Sequence, residues 1–536
     1  MPDSPTLPHA HRSLPHLRPQ GSSTQLIVDG KPFLMLAGEV HNSSSSSLAY
    51  METVWPLLKS LHCNTALVPV SWELIEPEDG RFDFDLVDGL ILAARHQGLR
   101  LGLLWFGTWK NTYSSYTPGW VKTDLERFPR AQAQAGVNTG AITCLSEEAC
   151  AADARAFAAL LRRVREIDDD DRTVLMVQVE NEVGLLGSAR DHSPPADAAF
   201  EHPVPEDLIA YLDGHRASLH PALASSWQTA GWWTEGTWVD VFGADADEVF
   251  MAWHIARFVE KVAAAGKAEY PLPLFANAWL VQHAQEKAGQ YPSGGPVSRM
   301  IDVWRCAAPT ISLLAPDIYI QDFRGVCADY TRSGNSLLIP EARRDESAAA
   351  HAFYAIGQHD AIGFAPFGIE SIGKTAAPTI AGAAADDSFT MKTAADGTLL
   401  ANSYRLLSDM SPVIAAHHGS DSMIGILQDT GDPQEITLGC CRMLIRFRRP
   451  LQAARPPAGG LVIALSPDEY LAAGFGFSLE FLPPISDTSH VDFLELWEGD
   501  YREGKWVPGR RLNGDEYSLR LGDEPGVRRA RVYRYA

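Results

Sequence analysis

Two glutamates close apolar segments of this chain, and their surroundings suit chemistry. The first ends VLMVQVENE, residues 174–182, after which Val183 and Gly184 turn the chain away. The second ends NSLLIPE, residues 335–341, ahead of Ala342, Arg343 and Arg344. On an extended strand Glu180 and Glu182 would point to the same side. Carboxylates turned inward at a strand end weaken a plain core, so a site is one reading, and exit into solvent is the other. Arg343 or Arg344 could pair with Glu341 and keep it ionised; a plain strand-end ion pair is the bland alternative. Two carboxyl groups facing each other across a barrel mouth can break a glycosidic bond with retention. One must be an ionised nucleophile and the other a protonated acid, about 5–5.5 Å apart, against roughly 6.5–9.5 Å for inversion. The acid needs a raised pKa and the nucleophile a lowered one.

The elements that would position them alternate in a regular way. Asp29-Gly30 is a hairpin turn signal between 25–28 and 33–36. Short strands, apolar on both faces, are predicted at 33–39, 65–71, 99–106, 174–182, 272–279, 316–320, 336–341 and 361–367. Helical spacing of apolar residues appears at 48–61, 86–96, 147–165, 247–264, 297–307, 347–358 and 399–417. That is the order of an α/β fold, a (β/α)8 TIM barrel. A doubly wound sheet is the alternative, but no Gly-rich phosphate loop follows the first strand. Long loops follow strands 3 and 4, at 108–141 and 184–243; the second carries Trp227, Trp232, Trp233 and Trp238. Beyond about residue 415 short alternating segments with Gly, Pro and Asp punctuation predict a C-terminal antiparallel β-sandwich-like domain. The expected division is a disordered or draped arm over 1–22, a barrel over 23–415 and the β-domain over 416–536.

Composition narrows the partners. A net charge of −22 argues against nucleic acid and against anionic membranes. The 14 Trp residues supply flat apolar faces that suit sugar rings, although core packing is their default use. The seven Cys form no CxxC pair, and neither HExxH nor GxSxG occurs, so no metal or other cofactor is expected. The Pro- and His-rich beginning has no apolar core of a secretory signal, which gives a cytoplasmic expectation.

Three segments in order then carry a resemblance. They are GEVH at 38–41, WELIEPEDGRFDF at 72–84 and QVENE at 178–182. Together they resemble glycoside hydrolase family 35 over roughly residues 25–415. The resemblance implies a retaining (β/α)8 glycosidase, most members being β-galactosidases, with catalytic glutamates on strands 4 and 7. It makes Glu182 the acid/base and Glu341 the nucleophile. Asn181 would hold the sugar 2-hydroxyl, and Tyr319 would donate to Glu341. Glu180 would sit behind them. Where the family has its galactose-recognising loop after strand 3, this chain has LLWFGTWKN, residues 103–111. Further candidates for substrate binding are Glu39 and His41 at the first strand end, Asn111, Asn277, and the strand-end Trp72, Trp105 and Trp279. For these tryptophans sugar stacking and core packing stay open, as do pocket lining and structural hydrogen bonding for Glu39 and His41. The expected activity is exo-hydrolysis of terminal β-galactosides of oligosaccharides. A β-glucoside hydrolase or a transglycosylase with the same mechanism is the second reading, and a non-catalytic carbohydrate-binding barrel the third. A homo-oligomer is left open.

Overall fold

Eight strands close into a parallel barrel. In the computed structural model the described residues are 13–373, 396–451, 455–484 and 489–535. The strands are β1 (Met35–Glu39), β2 (Thr65–Ser71), β3 (Arg100–Lys110), β4 (Val174–Asn181), β5 (Leu274–Trp279), β6 (Leu313–Ile318), β7 (Leu338–Ala342) and β8 (Gly363–Pro366). The TIM-barrel fold and the C-terminal antiparallel domain are as the sequence predicts. β6 begins three residues before its predicted start, because Leu313 and Leu314 supply the buried positions that the predicted range left out.

A helix follows each strand and buries one apolar stripe against it. In Leu48–Ser60 that stripe is Met51, Val54, Trp55 and Leu58, and Ser47 caps the first turn by accepting from the Tyr50 amide. Ser146 caps Glu147–Asp168 in the same way, with Glu147 and Glu148 beside the helix N-terminus. The last barrel helix, Thr398–His417, fixes the β8–β1 seam. Its Tyr404 hydroxyl donates to the carbonyls of Ala37 and Phe364, both at 2.9 Å.

The hairpin at Asp29-Gly30 forms, with φ of 51° and 76° at the two turn residues. Its second arm is only Lys31–Pro32; the chain then enters the barrel rather than continuing the hairpin through residue 36. A further strand, His16–Gln20, pairs antiparallel with Ser23–Val28. The expectation of a draped arm over 1–22 is therefore corrected for its ordered end, while residues 1–12 lie outside the described residues. Leu26 and Val28 pack against Met35, Leu67, Leu104, Phe275, Leu313 and Leu338 in the barrel interior. This small sheet plugs the N-terminal mouth and leaves the C-terminal mouth for polar groups.

The loops after β3 and β4 are structured. The first holds the helix Gly119–Thr123 and the hairpin Arg130–Gln134/Val137–Ile142; the second holds four short helices between Pro194 and Phe242. Trp227 and Trp238 form the core of that second insertion.

The β-domain is a six-stranded sheet facing a four-stranded one, both antiparallel. Between them lie Met443, Ile445, Val462, Tyr470, Phe477 and Leu496. The outer face of the larger sheet packs on the helix Ala348–His359, which follows β7. The approach is close: a Cβ on Gly459 would stand 2.5 Å from that of Ala350. The β-domain thus braces the helix behind the strand that carries Glu341.

One buried ion pair starts β4. Asp168, fully buried, accepts from Arg95 at 2.8 Å and from the Thr173 and Val174 amides at 2.9 and 2.7 Å. Asp168→Ala leaves the two buried amides without their acceptor, while Arg95 keeps Asp171 at 2.8 Å, and should cost about 1–3 kcal/mol per amide. Urea unfolding measures this, and an unchanged midpoint would remove the role.

Candidate active site

The C-terminal strand ends bring four carboxyl groups together. Glu39 ends β1, Asp317 lies near the end of β6, Glu341 lies on β7, and Glu182 follows β4 directly. Neighbouring strand registers align them: Trp279 pairs with Asp317, and Asp317 with Glu341. All four are buried, none more than 6% exposed. One oxygen each of Glu182, Asp317 and Glu341 lies within 4.8 Å of the others.

Glu182 is held by two asparagines. The Asn111 side-chain amide donates to its Oε2. Its own backbone N–H donates to Asn277 Oδ1 at 2.9 Å. Asn277 Nδ2 in turn donates to Asp317 Oδ2 at 2.7 Å. The Glu182 pKa is pushed up to about 7, first by burial and then by the Glu341 charge, with Lys110 pulling the other way. That is where a group that must both give and take a proton is best tuned.

Glu341 receives the Tyr319 hydroxyl at 2.7 Å on Oε2, and Asn181 Nδ2 lies 3.5 Å from Oε1. Burial and the Glu341 charge push the Tyr319 phenol well above its ordinary value, so it remains a donor. Neither arginine pairs with Glu341. Arg343 binds Asp345 and the Tyr319 carbonyl, and Arg344 binds the Phe367 carbonyl. The expected Arg partner is replaced by two neutral donors.

Three residues without a role at the level of sequence complete the site. Lys110 Nζ donates to Asn181 Oδ1 at 2.9 Å, which turns the Asn181 amide N–H toward Glu341. Its charge holds Glu39, Glu182 and Asp317 lower than burial alone would. A register shift in β3 between Trp105 and Lys110 sets Lys110 opposite Asn181. Asp317 is the second. The third is Glu370, whose Oε1 accepts from the His41 amide at 3.0 Å and from Ser44 Oγ. A lysine and an aspartate that break apolar strand ends were the available signals for the first two.

The other candidates divide. Glu39 lies near the other carboxyl groups, and neither of its carboxylate oxygens has a hydrogen-bond donor among the described residues. Burial first, then the Glu341 charge, raises its pKa well above the usual range. His41 is half-buried, its ring against Ser371 Oγ at 2.7 Å and edge-on to Phe367; it steadies the loop after β8. Trp279 is half-buried at the mouth. Trp72 and Trp105 are corrected to framework residues. Both are fully buried, with indole N–H groups given to Glu76 and Asp153 at 2.8 Å. Trp105 falls on the helix-facing side of β3, against Phe157. Asn277 has both polar ends engaged by the protein, so it orients Glu182 and Asp317 rather than standing free for a sugar.

Glu180 does not share a side with Glu182. Its φ of 63° turns the carboxyl behind the strand, where Oε2 accepts from the Trp109 amide at 2.7 Å. Burial and the adjacent Asp153 carboxylate raise its pKa well above the usual range.

Glu182, Asp317 and Glu341 lie close enough to hold a divalent cation. Their oxygens are however supplied with N–H and O–H donors from Asn111, Asn277 and Tyr319, and Lys110 is nearby. That donor set suits proton chemistry.

Residues 46–236 match a family model described as β-galactosidase, that of glycoside hydrolase family 42. Residues 400–521 match a domain of unknown function. A β-galactosidase of Xanthomonas manihotis is 29% identical over 184 residues, which cover 32% of this chain and 27% of that protein. The match thus spans about a quarter of the relative's length. Among solved structures, a β-galactosidase from the psychrophilic Marinomonas ef1 shows 14% identity and a TM-score of 0.46, covering 72% of this chain and 61% of that one. The catalytic domain of a β-amylase from Paenibacillus polymyxa shows 13% identity and a TM-score of 0.44, covering 63% and 93%. The matched β-galactosidase region contains Glu182 and ends before Glu341.

Burial of Glu182 has a consequence for stability. A carboxyl whose folded pKa is raised stabilises the fold below its unfolded value, and this is lost as pH rises through the folded one. For Glu182 the window runs from its ordinary 4.5 to about 7. Glu182→Gln should therefore match the native protein near pH 4 and exceed it at pH 8 by up to about 3 kcal/mol. Equal unfolding midpoints at both pH values would contradict the assigned burial of the charge.

Proposed function

We propose that this chain is a retaining exo-β-glycosidase acting on terminal β-galactosides of oligosaccharides. One observation carries the reading: two buried glutamates with oxygens within 4.8 Å have opposite surroundings. Glu182 is poised near neutrality by burial and a like charge. Glu341 receives Tyr319 and lies beside Asn181. The spacing favours retention, for which the two groups stand about 5–5.5 Å apart. The motifs that resemble family 35 and the match of residues 46–236 to a β-galactosidase family model support the sugar.

In the first step Glu341 attacks the anomeric carbon while the bond to the leaving oxygen breaks and Glu182 gives that oxygen its proton. In the second, water attacks the same carbon, gives its proton to Glu182 and releases Glu341. Tyr319 donates to the ionised Glu341 before its charge is taken up in the covalent bond and again once that bond breaks. Asn181, oriented by Lys110, donates to the sugar 2-hydroxyl region. Glu39, buried with no donor among the described residues, meets sugar hydroxyls, and Trp279 offers a flat face at the rim.

Nitrophenyl β-galactoside and β-glucoside provide the test. The native protein should hydrolyse the galactoside, and Glu182→Gln and Glu341→Gln should each lose about 10³-fold or more in kcat. NMR of the first product should show the β-anomer. Silence on every β-glycoside, full rate in Glu341→Gln, or an α-anomer formed first would each overturn the corresponding part of the reading.

A further inference from the structure

We infer that Asp317 is a neutral carboxyl in the resting site, and that it positions Glu182 by donating a hydrogen bond to it. This deepens the two-glutamate reading and rests on it for its catalytic consequence. The geometry begins with Asn277. Its Nδ2 occupies Asp317 Oδ2 at 2.7 Å, which leaves Oδ1 buried with no donor among the described residues. What stands near Asp317 instead is carboxylate oxygen, from Glu182 and Glu341, within 4.8 Å. The proposed bond runs from Asp317 to the neighbouring Glu182 oxygen, and two carboxyl groups can share such a bond only when one of them carries a proton.

The charged and titratable groups facing Asp317 decide which one keeps the proton. Glu39 on β1, Glu182 after β4 and Glu341 on β7 are the other acids, Lys110 on β3 is the opposing charge, and the neutral phenols are Tyr319 just after β6 and Tyr330 at the end of the helix Phe323–Tyr330. Burial, then Glu341, then Glu182 and Glu39 all raise Asp317 well above the usual carboxylate range. Each carboxyl receives one side-chain amide, Asn111 on Glu182 and Asn277 on Asp317, but Asp317 lies deeper, 2% exposed against 6% for Glu182. The less solvated carboxyl keeps its proton.

A neutral Asp317 fits the proton balance of the reaction. Glu182 must lose its proton to the leaving group and regain one from water. An ionised Asp317 would set a third negative charge beside it and hold that proton too tightly. A neutral Asp317 donates to the Glu182 carboxylate formed in the first step and keeps its own proton through both steps. No proton is gained or lost overall. Asp317 is a positioning residue; it touches Glu182 rather than the reacting carbon.

The test uses the full-length protein and two readouts. The first is infrared difference spectroscopy above the Glu182 pKa, where Glu182 is ionised in both proteins. Native minus Asp317→Asn should show the loss of one protonated-carboxyl band; no lost band overturns the inference whether or not any glycoside is hydrolysed. Asp317→Ala gives the same difference should the first variant fail to fold. The second is the basic limb of kcat/KM against pH, which reports Glu182. With a neutral Asp317, Asp317→Asn keeps the limb in place, whatever its amplitude, because the amide keeps a neutral donor. Asp317→Ala moves it to higher pH, and Asn at the position restores it. A limb moved downward in Asp317→Asn, as removal of a negative charge would cause, overturns the inference. If the protein is silent on all β-glycosides the glycosidase reading fails alone, and the infrared result still decides the charge of Asp317.

Discussion

Four carboxyl groups buried against one another at the mouth of the barrel form the constraint on which the remaining architecture depends. Removing a carboxylate from water is costly, and placing a second beside it adds repulsion. Glu39, Glu182, Asp317 and Glu341 therefore cannot all be ionised together. Protons must remain on some of them, and donors must stabilise the rest. Lys110 supplies positive charge, Tyr319 and the three asparagines supply N–H and O–H, and burial makes each of those bonds count for more. The site is an arrangement for dividing a small number of protons among too many acids.

The barrel makes this arrangement rigid. Parallel strands bring their C-terminal ends to one mouth, so residues far apart in sequence become neighbours by register alone. Asp317 opposite Glu341 is one such pair. The opposite mouth is closed by the N-terminal sheet through Leu26 and Val28, and β7 is backed by a helix on which the β-domain rests. Tyr404 joins the carbonyls on either side of the β8–β1 seam, next to Glu39. These supports lie away from the chemistry but limit how far the carboxyl groups can separate.

Much of this is legible in the sequence. Strand order, helix stripes and the all-β character of the C-terminal region follow from apolar period and turn residues, which report burial directly. Glu182 and Glu341 were legible because an acid at the end of an apolar run conflicts with its neighbours. Asn111 and Asn277 were placed near the site but with the wrong partner: sequence gives no sign that an asparagine will spend both ends on other side chains. Trp72 and Trp105, for which the sequence leaves stacking and packing open, are framework for a related reason. A strand-end tryptophan can face the mouth or the helices, and for Trp105 the alternation along β3, with Leu101 and Leu103 outward and Leu104 and Phe106 inward, decides for the helices. Lys110 was hidden by the β3 register shift, which no period reveals.

The sharpest departure from strand periodicity lies within Glu180-Asn181-Glu182. Simple alternation would turn Glu180 and Glu182 inward together and Asn181 away. The fold instead sets Asn181 and Glu182 in front, beside Glu341, and Glu180 behind. Positive φ at both glutamates, 63° and 45°, resolves the conflict. Such backbone in a non-glycine residue costs of order 1–3 kcal/mol each and persists only where its surroundings enforce it. Here they do so from three sides. Trp109 N–H holds the Glu180 carboxyl, Gln178 Nε2 holds its carbonyl, and Asn277 holds the Glu182 amide. Gly184, with φ of 141° and no room for a Cβ against Pro292, then carries the chain out of the barrel. The strain falls on the residues where two neighbouring side chains must share a face that a regular strand would deny them.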